Sequence, residues 1–156
     1  MTRQRCPHAV NTSRRQVLAA SVAAGLSVVW QPARAVSDEL AAAVRGFTGG
    51  APTREGKVTF DIAPLVENGN TVPVTVTVDH PMTAADHVQA IAIFNEKNPQ
   101  REVIACKLSP RMGKATVATR IRLATTQQLI AVARLSDGSC WTHTVDVIVT
   151  LAACIE

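Results

Sequence analysis

Tyrosine is absent from this 156-residue chain, and two tryptophans with three phenylalanines bring its aromatic content to only 3%. Proteins that grip single-stranded nucleic acid stack bases on aromatic rings, so there is little here from which to build such a platform. Acidic residues are missing from the first 37 positions, although the chain has twelve of them. Long apolar runs are missing as well. The stretch Val17 to Val29 covers about thirteen residues, and a membrane-spanning helix needs roughly twenty. There is no glycine-rich phosphate loop, no nucleophile elbow, no internal repeat and no long low-complexity linker. What is present is a globular composition, 47% hydrophobic and 18% charged, in a length that suits one domain.

The missing acids locate a leader. Residues 1–35 combine a polar, basic start (Arg3, Arg5, Arg14, Arg15), the short apolar run, and Ala33-Arg34-Ala35, the pattern of a secretory signal. Ser13-Arg14-Arg15-Gln16-Val17-Leu18 resembles a twin-arginine signal, which addresses proteins to the bacterial periplasm. Cleavage after Ala35 would leave Val36–Glu156. Five of the sixteen basic residues precede that point and all twelve acids follow it, so the formal charge of +4 becomes −1. Cys6 and Trp30 leave with the leader. Nucleic-acid binding then loses its positive field along with its stacking surface, and after cleavage nothing would hold the chain to a membrane.

Ser37-Asp38-Glu39 ahead of Leu40-Ala41-Ala42-Ala43-Val44 predicts a short capped helix that Gly46 stops, with Leu40, Ala43, Val44 and Phe47 as its apolar face. From Lys57 onward, period-two alternation dominates. Strands are expected at 58–62, 72–78, 88–94, 102–108, 114–123, 127–135 and 140–151, with Asp137-Gly138 turning the last hairpin. Pro73 cannot donate to a ladder, so it belongs at an edge or a bulge. Seven short strands behind a short N-terminal helix predict an all-β, immunoglobulin-like sandwich as a single domain over residues 36–151.

Three cysteines remain after that cleavage. Cys140 and His143, with His80, His87 and Met112 elsewhere, raise a copper site of the kind built from two histidines, a cysteine and a weak methionine. No methionine follows His143, and residues three apart in a strand face opposite ways, so no metal site is expected. Cys154 and His143 make no recognisable hydrolase, and no catalytic residue is assigned. Cys106 and Cys140 lie in predicted strands, either as a disulfide or as two buried thiols. Cys154 lies beyond the last strand, third from the end of the sequence, where a thiol is free to attack or to carry a group, or is incidental to the tail.

Several stretches resemble one known family. They are Glu67-Asn68-Gly69-Asn70-Thr71-Val72-Pro73-Val74, Asp79-His80-Pro81-Met82-Thr83, Ile93-Phe94-Asn95-Glu96-Lys97-Asn98-Pro99, Thr119-Arg120-Ile121-Arg122-Leu123-Ala124, and Ser136-Asp137-Gly138 followed by Trp141. In this order they are similar to SoxY, the thiosulfate-carrying subunit of the periplasmic Sox system. The resemblance implies a β-sandwich paired with a SoxZ-like subunit as a heterodimer, with no cofactor. It also implies an arm ending Gly-Gly-Cys-Gly-Gly whose cysteine bears sulfur intermediates covalently. SoxAX-, SoxB- and SoxCD-like enzymes would visit it transiently: a haem protein that attaches thiosulfate, a hydrolase that releases sulfate, and a sulfane dehydrogenase. The carrier is not itself a catalyst.

On this resemblance Cys154 is the carrier residue and 152–156 is the arm. Its sequence departs from the pattern, because Ala152, Ala153, Ile155 and Glu156 stand where the family has glycine. The two alanines narrow backbone freedom, Ile155 adds β-branched bulk beside the sulfur, and Glu156 places negative charge near it, which disfavours the attacking thiolate. The arm, roughly 20 Å when extended, is long enough. Two readings follow within the family: a working carrier with altered kinetics, or a divergent paralogue that has lost the role. A structural Ig-like module without covalent chemistry is the reading from another class.

Overall fold

The computed structural model describes residues 36–152. The leader predicted over 1–35, and Ala153, Cys154, Ile155 and Glu156 of the predicted arm, lie outside them. Helix α1 (Asp38–Thr48) starts as its sequence predicts: the Ser37 hydroxyl accepts from the Leu40 N–H at 3.4 Å, and Asp38 and Glu39 occupy the first turn. It does not stop at Gly46. The helix runs on to Thr48 and is capped by Gly49, whose φ of 64° is the left-handed conformation glycine adopts without strain. The extra turn brings Phe47 edge-on to Phe94, with ring centroids 5.8 Å apart, and that contact outweighs the weak helix propensity of one glycine.

Nine strands follow: β1 (Thr53–Glu55), β2 (Val58–Asp61), β3 (Leu65–Asn68), β4 (Val72–Val78), β5 (Val88–Asn95), β6 (Glu102–Lys107), β7 (Ala115–Ile121), β8 (Gln127–Leu135) and β9 (Cys140–Leu151). All seven predicted strands are among them. The two additions, β1 and β3, are short and pair in parallel, one after the other, along the free edge of β9. The larger sheet runs β1-β9-β8-β5-β6 with β3 also on β9, and the smaller sheet runs β2-β4-β7.

The two sheets face each other across one core. Val72, Val74, Val76 and Val78 of β4 all point inward, against Ile91, Ile93, Leu129, Ala131 and Val147 of the larger sheet. Full burial of such a side chain contributes about 1.5–3 kcal/mol. Period-two alternation therefore reads as burial, and the apolar faces of β4 and β7 are consumed inside the sandwich. Their outer faces carry Thr75, Thr77, Thr116 and Arg120. Pro73 sits in the central strand of the smaller sheet, not in an edge strand. It lies past the end of β2, whose pairing begins at Thr75↔Asp61, so β4 is locally an edge where the proline lacks its N–H. A second, smaller core lies under α1, where Leu40 is fully buried against Ala92, Phe94, Ile130 and Val132 on the outer face of the larger sheet.

Candidate functional site

The strands run between two poles. One collects the turns at 56–57, 79–87, 108–114 and 136–139, and the other those at 62–71, 96–101 and 122–126 together with the end of β9. The chain leaves β9 toward Cys154 at this second pole, so the geometry there decides what that cysteine can reach.

Four separate attachments hold the last residues of β9. β3 pairs with it from Leu65↔Ile148 to Asn68↔Leu151. The Thr150 hydroxyl donates to the Glu67 carbonyl at 3.2 Å. The Val149 N–H donates to the Thr126 hydroxyl at 3.0 Å. The Gly69 N–H donates to the Leu151 carbonyl at 2.9 Å, and the carbonyl of Gly69 accepts from the Leu123 N–H at 2.8 Å. Gly69 is thus the junction between the end of β9 and the loop after β7. The stretch Glu67-Asn68-Gly69-Asn70 forms the turn that makes this junction, closed by Asn68 Oδ1 accepting from the Asn70 N–H at 2.9 Å.

A partly buried amide network braces the same pole. Asn98 Oδ1 accepts from the Ala124 N–H at 3.0 Å and from Gln127 Nε2 at 2.8 Å, while Asn98 Nδ2 donates to the Arg122 carbonyl at 2.8 Å. Asn95, fully buried, donates through Nδ2 to the Gln100 carbonyl at 2.7 Å. Buried amides of this kind are tolerated only when satisfied. These residues make the 96–101 and 122–126 loops one rigid body, which explains why two of the sequence stretches quoted above come together in space.

From that rigid base the chain continues to Ala152, which is exposed. Cys154 is three residues beyond Leu151, and three extended residues span at most about 11 Å. Around the base, Leu65, Ile148 and Leu151 are 55%, 55% and 61% exposed, and Leu65 and Ile148 are side by side on the outer face of the sheet.

The other two cysteines are far from this pole or turned away from each other. Cys106 is a half-buried free thiol on edge strand β6, facing the space between the sheets. Cys140 is a fully buried free thiol at the start of β9 on the opposite face, where burial pushes its thiol up. β8 and β5 stand between their strands, a separation of roughly 14 Å at the usual strand spacing, too far for a disulfide. Of the two alternatives open from the sequence, the structure has the separate thiols.

The copper candidates are scattered, and two of the three histidines are engaged elsewhere. His143 points between the sheets, where its Nδ1 accepts from the Phe60 N–H at 2.8 Å and so ties β9 to β2. His80 sits between Lys57 Nζ at 3.4 Å and Asp86 Oδ1 at 2.8 Å. Met112 is exposed in a 3₁₀ turn over Pro110–Met112. Among the described residues no three histidine, cysteine, aspartate or glutamate side chains are grouped to hold a metal ion.

Three comparisons bear on this architecture. A family model described as sulfur oxidation protein SoxY matches residues 44–154, a span that includes Cys154. No curated protein sequence matches the chain. Among solved structures, a putative superoxide reductase from Thermotoga maritima is similar with a TM-score of 0.54 at 20% identity, over 62% of this chain and 93% of that one. A superoxide reductase (neelaredoxin) from Ignicoccus hospitalis aligns at 0.54 and 18% identity, over 60% and 80%. A hypothetical protein from Pyrococcus horikoshii aligns at 0.51 and 17%, over 61% and 95%. At such identities the likeness is one of fold alone, and it establishes the β-sandwich architecture.

Proposed function

The chain belongs to the SoxY family of sulfur oxidation proteins, and from that membership we propose that it is a periplasmic sulfur carrier whose Cys154 bears the cargo. The observation that supports this most is the coincidence of two endpoints. The family match runs through residue 154, and the pairing of β3 with β9 reaches Leu151. Cys154 thus follows the last residue of β9 by three positions, a spacing that suits a thiol presented to partner enzymes.

In this role the protein binds and presents, and its partners do the chemistry. Joining thiosulfate to the thiol forms an S–S bond and releases one proton and two electrons, which a haem partner takes up. Water then displaces the terminal sulfonate as sulfate in a hydrolase, leaving a persulfide on Cys154. A SoxZ-like subunit forms the heterodimer and a sulfane dehydrogenase completes the cycle. The twin-arginine leader over residues 1–35 delivers the folded domain to the periplasm. Ala152, Ala153, Ile155 and Glu156 make the arm stiffer and more acidic than a glycine-flanked one, so transfer should be slower while the chemistry stays the same.

The test is incubation of the protein with thiosulfate and the haem partner, followed by intact-mass measurement. A gain of one thiosulfate-derived group that vanishes in Cys154→Ser supports the carrier. An unchanged mass in the presence of an active partner supports the paralogue without carrier activity.

A further inference from the structure

The pole away from the end of β9 holds a chain of charged and titratable groups that the carrier reading leaves unused. His80, in the 79–87 turn, has a side chain only 8% exposed. Its Nε2 lies 2.8 Å from Asp86 Oδ1, and its Nδ1 lies 3.4 Å from Lys57 Nζ. A lysine ammonium has protons to give and no lone pair to offer. Nδ1 is therefore the acceptor, and Nε2 carries the proton donated to Asp86, which makes this the arrangement of a neutral imidazole. The same ammonium stands over the indole of Trp141, 4.9 Å from the ring centroid, where the ring face attracts a cation. Asp86 is fixed in turn: the Ser136 hydroxyl donates to its Oδ1 at 3.3 Å and accepts from the His87 N–H at 3.1 Å. Three turns and the start of β9 are thus joined in one cluster.

We propose that Lys57, His80 and Asp86 form a pH-operated latch: neutral His80 holds Lys57 across Trp141, and protonated His80 releases it. A solvent proton taken up at Nδ1 turns that acceptor into a second donor. The imidazolium then faces the ammonium across a gap where like charges repel. Asp86 keeps the imidazolium in place through Nε2, so Lys57 is the group that moves, on a flexible four-carbon stem. Its backbone does not follow, because the Lys57 carbonyl accepts from the Asp79 N–H at 2.8 Å and Val58 pairs with Val78. The other titratable groups of this pole leave the step to His80. Asp137, on the adjacent turn and within the field of His80 and Lys57, is held below its ordinary value by hydrogen bonds from Ser139, so it stays an anion. Asp79 is exposed. His87 has its backbone bound to Ser136 and its Nδ1 buried without a hydrogen-bond partner among the described residues. Opening uncovers the face of Trp141 and adds one positive charge to this pole. The latch involves no cysteine, so it stands or falls apart from the carrier reading.

The test is an NMR titration of the purified protein from about pH 8 to about pH 5, the range in which histidine ordinarily changes charge and carboxylates do not. Two signals are followed. The ring Cε1–H of His80 reports protonation, and the Cε protons of Lys57 are shifted upfield by the Trp141 ring current while the latch is closed. The expected result is a downfield move of the Lys57 signal to the position of a free lysine, with the same midpoint as His80. His80→Gln offers an acceptor and a donor but takes up no proton, so there the Lys57 signal should stay upfield throughout. Lys57→Gln removes the repelling ammonium, and His80 should then titrate at higher pH. A Lys57 signal that stays still while His80 titrates, or one that still moves in His80→Gln, where His87 remains to drive it, overturns the latch. So does a His80 that takes up no proton across this range, or a midpoint unchanged in Lys57→Gln. The titrations of the unaltered protein and of Lys57→Gln decide the matter even where His80→Gln fails to fold.

Discussion

Single side chains at the layer interface hold more of this fold than their number suggests. His143 is the clearest case. Its Nδ1 accepts the Phe60 N–H, joining the edge strand of one sheet to β9 of the other. In His143→Ala that N–H is left without a partner inside the sandwich, and an unsatisfied buried donor costs about 1–3 kcal/mol. Chemical denaturation should show a lower midpoint with an unchanged slope. At the surface, the guanidinium of Arg101 beside Glu39 holds that carboxyl below its ordinary value, and the Ser139 hydrogen bonds do the same for Asp137. Both folded values lie below the unfolded ones. Whatever they contribute is therefore fully present above the ordinary carboxylate range near pH 4 and is lost as pH falls through the lowered values. An NMR titration of Arg101→Gln should return the Glu39 carboxyl upward toward 4.5, with Asp137 unmoved.

Among the elements, those with one buried face were legible from their residues and those without were not. β4 reads off its four alternating valines, and β8 and β9 off Asp137-Gly138 and the runs that flank it. β1 escaped because all three of its residues are exposed, so it has no apolar period to read. β3 escaped because only Val66 of its four residues is buried. Both owe their existence to the free edge of β9, a partner more than 80 positions away. The helix was legible at its start, where Ser37 and two acids announce it, and misjudged at its end, where Phe47 packing on Phe94 carries it past Gly46. Because Leu40 is the residue by which α1 fills its own small core, Leu40→Ala should cost about 2–5 kcal/mol, measurable as a lowered Tm. At the base of the arm, Thr126→Val removes the acceptor of the Val149 N–H. Hydrogen exchange at Val149 should then accelerate while exchange in the centre of β4 stays the same.

On the scale of the whole molecule, the two poles divide the labour. One is filled by a polar cluster around His80, Asp86 and Ser136; at the other, Gly69 holds the end of β9 and Asn98 ties the loop after β5 to the loop after β7. The candidate cysteine was legible only as a position relative to the last strand. That β9 reaches Leu151 and that Gly69 secures it depend on contacts between residues remote in sequence. Heterodimer formation belongs to this scale too. Addition of the SoxZ-like subunit should raise Tm by mass action, and a Tm indifferent to it would argue for a protein that works alone.

The central claim is that the sulfur rides on Cys154 and on neither of the thiols built into the sandwich. It is tested most directly by locating the adduct in the chain after reaction with thiosulfate and the haem partner, through fragment-ion mass spectra of the digested protein. The account predicts the thiosulfate-derived mass on the peptide containing Cys154, with Cys106 and Cys140 unmodified. Modification confined to Cys106, the half-buried thiol of edge strand β6, or no modified peptide at all, would contradict it.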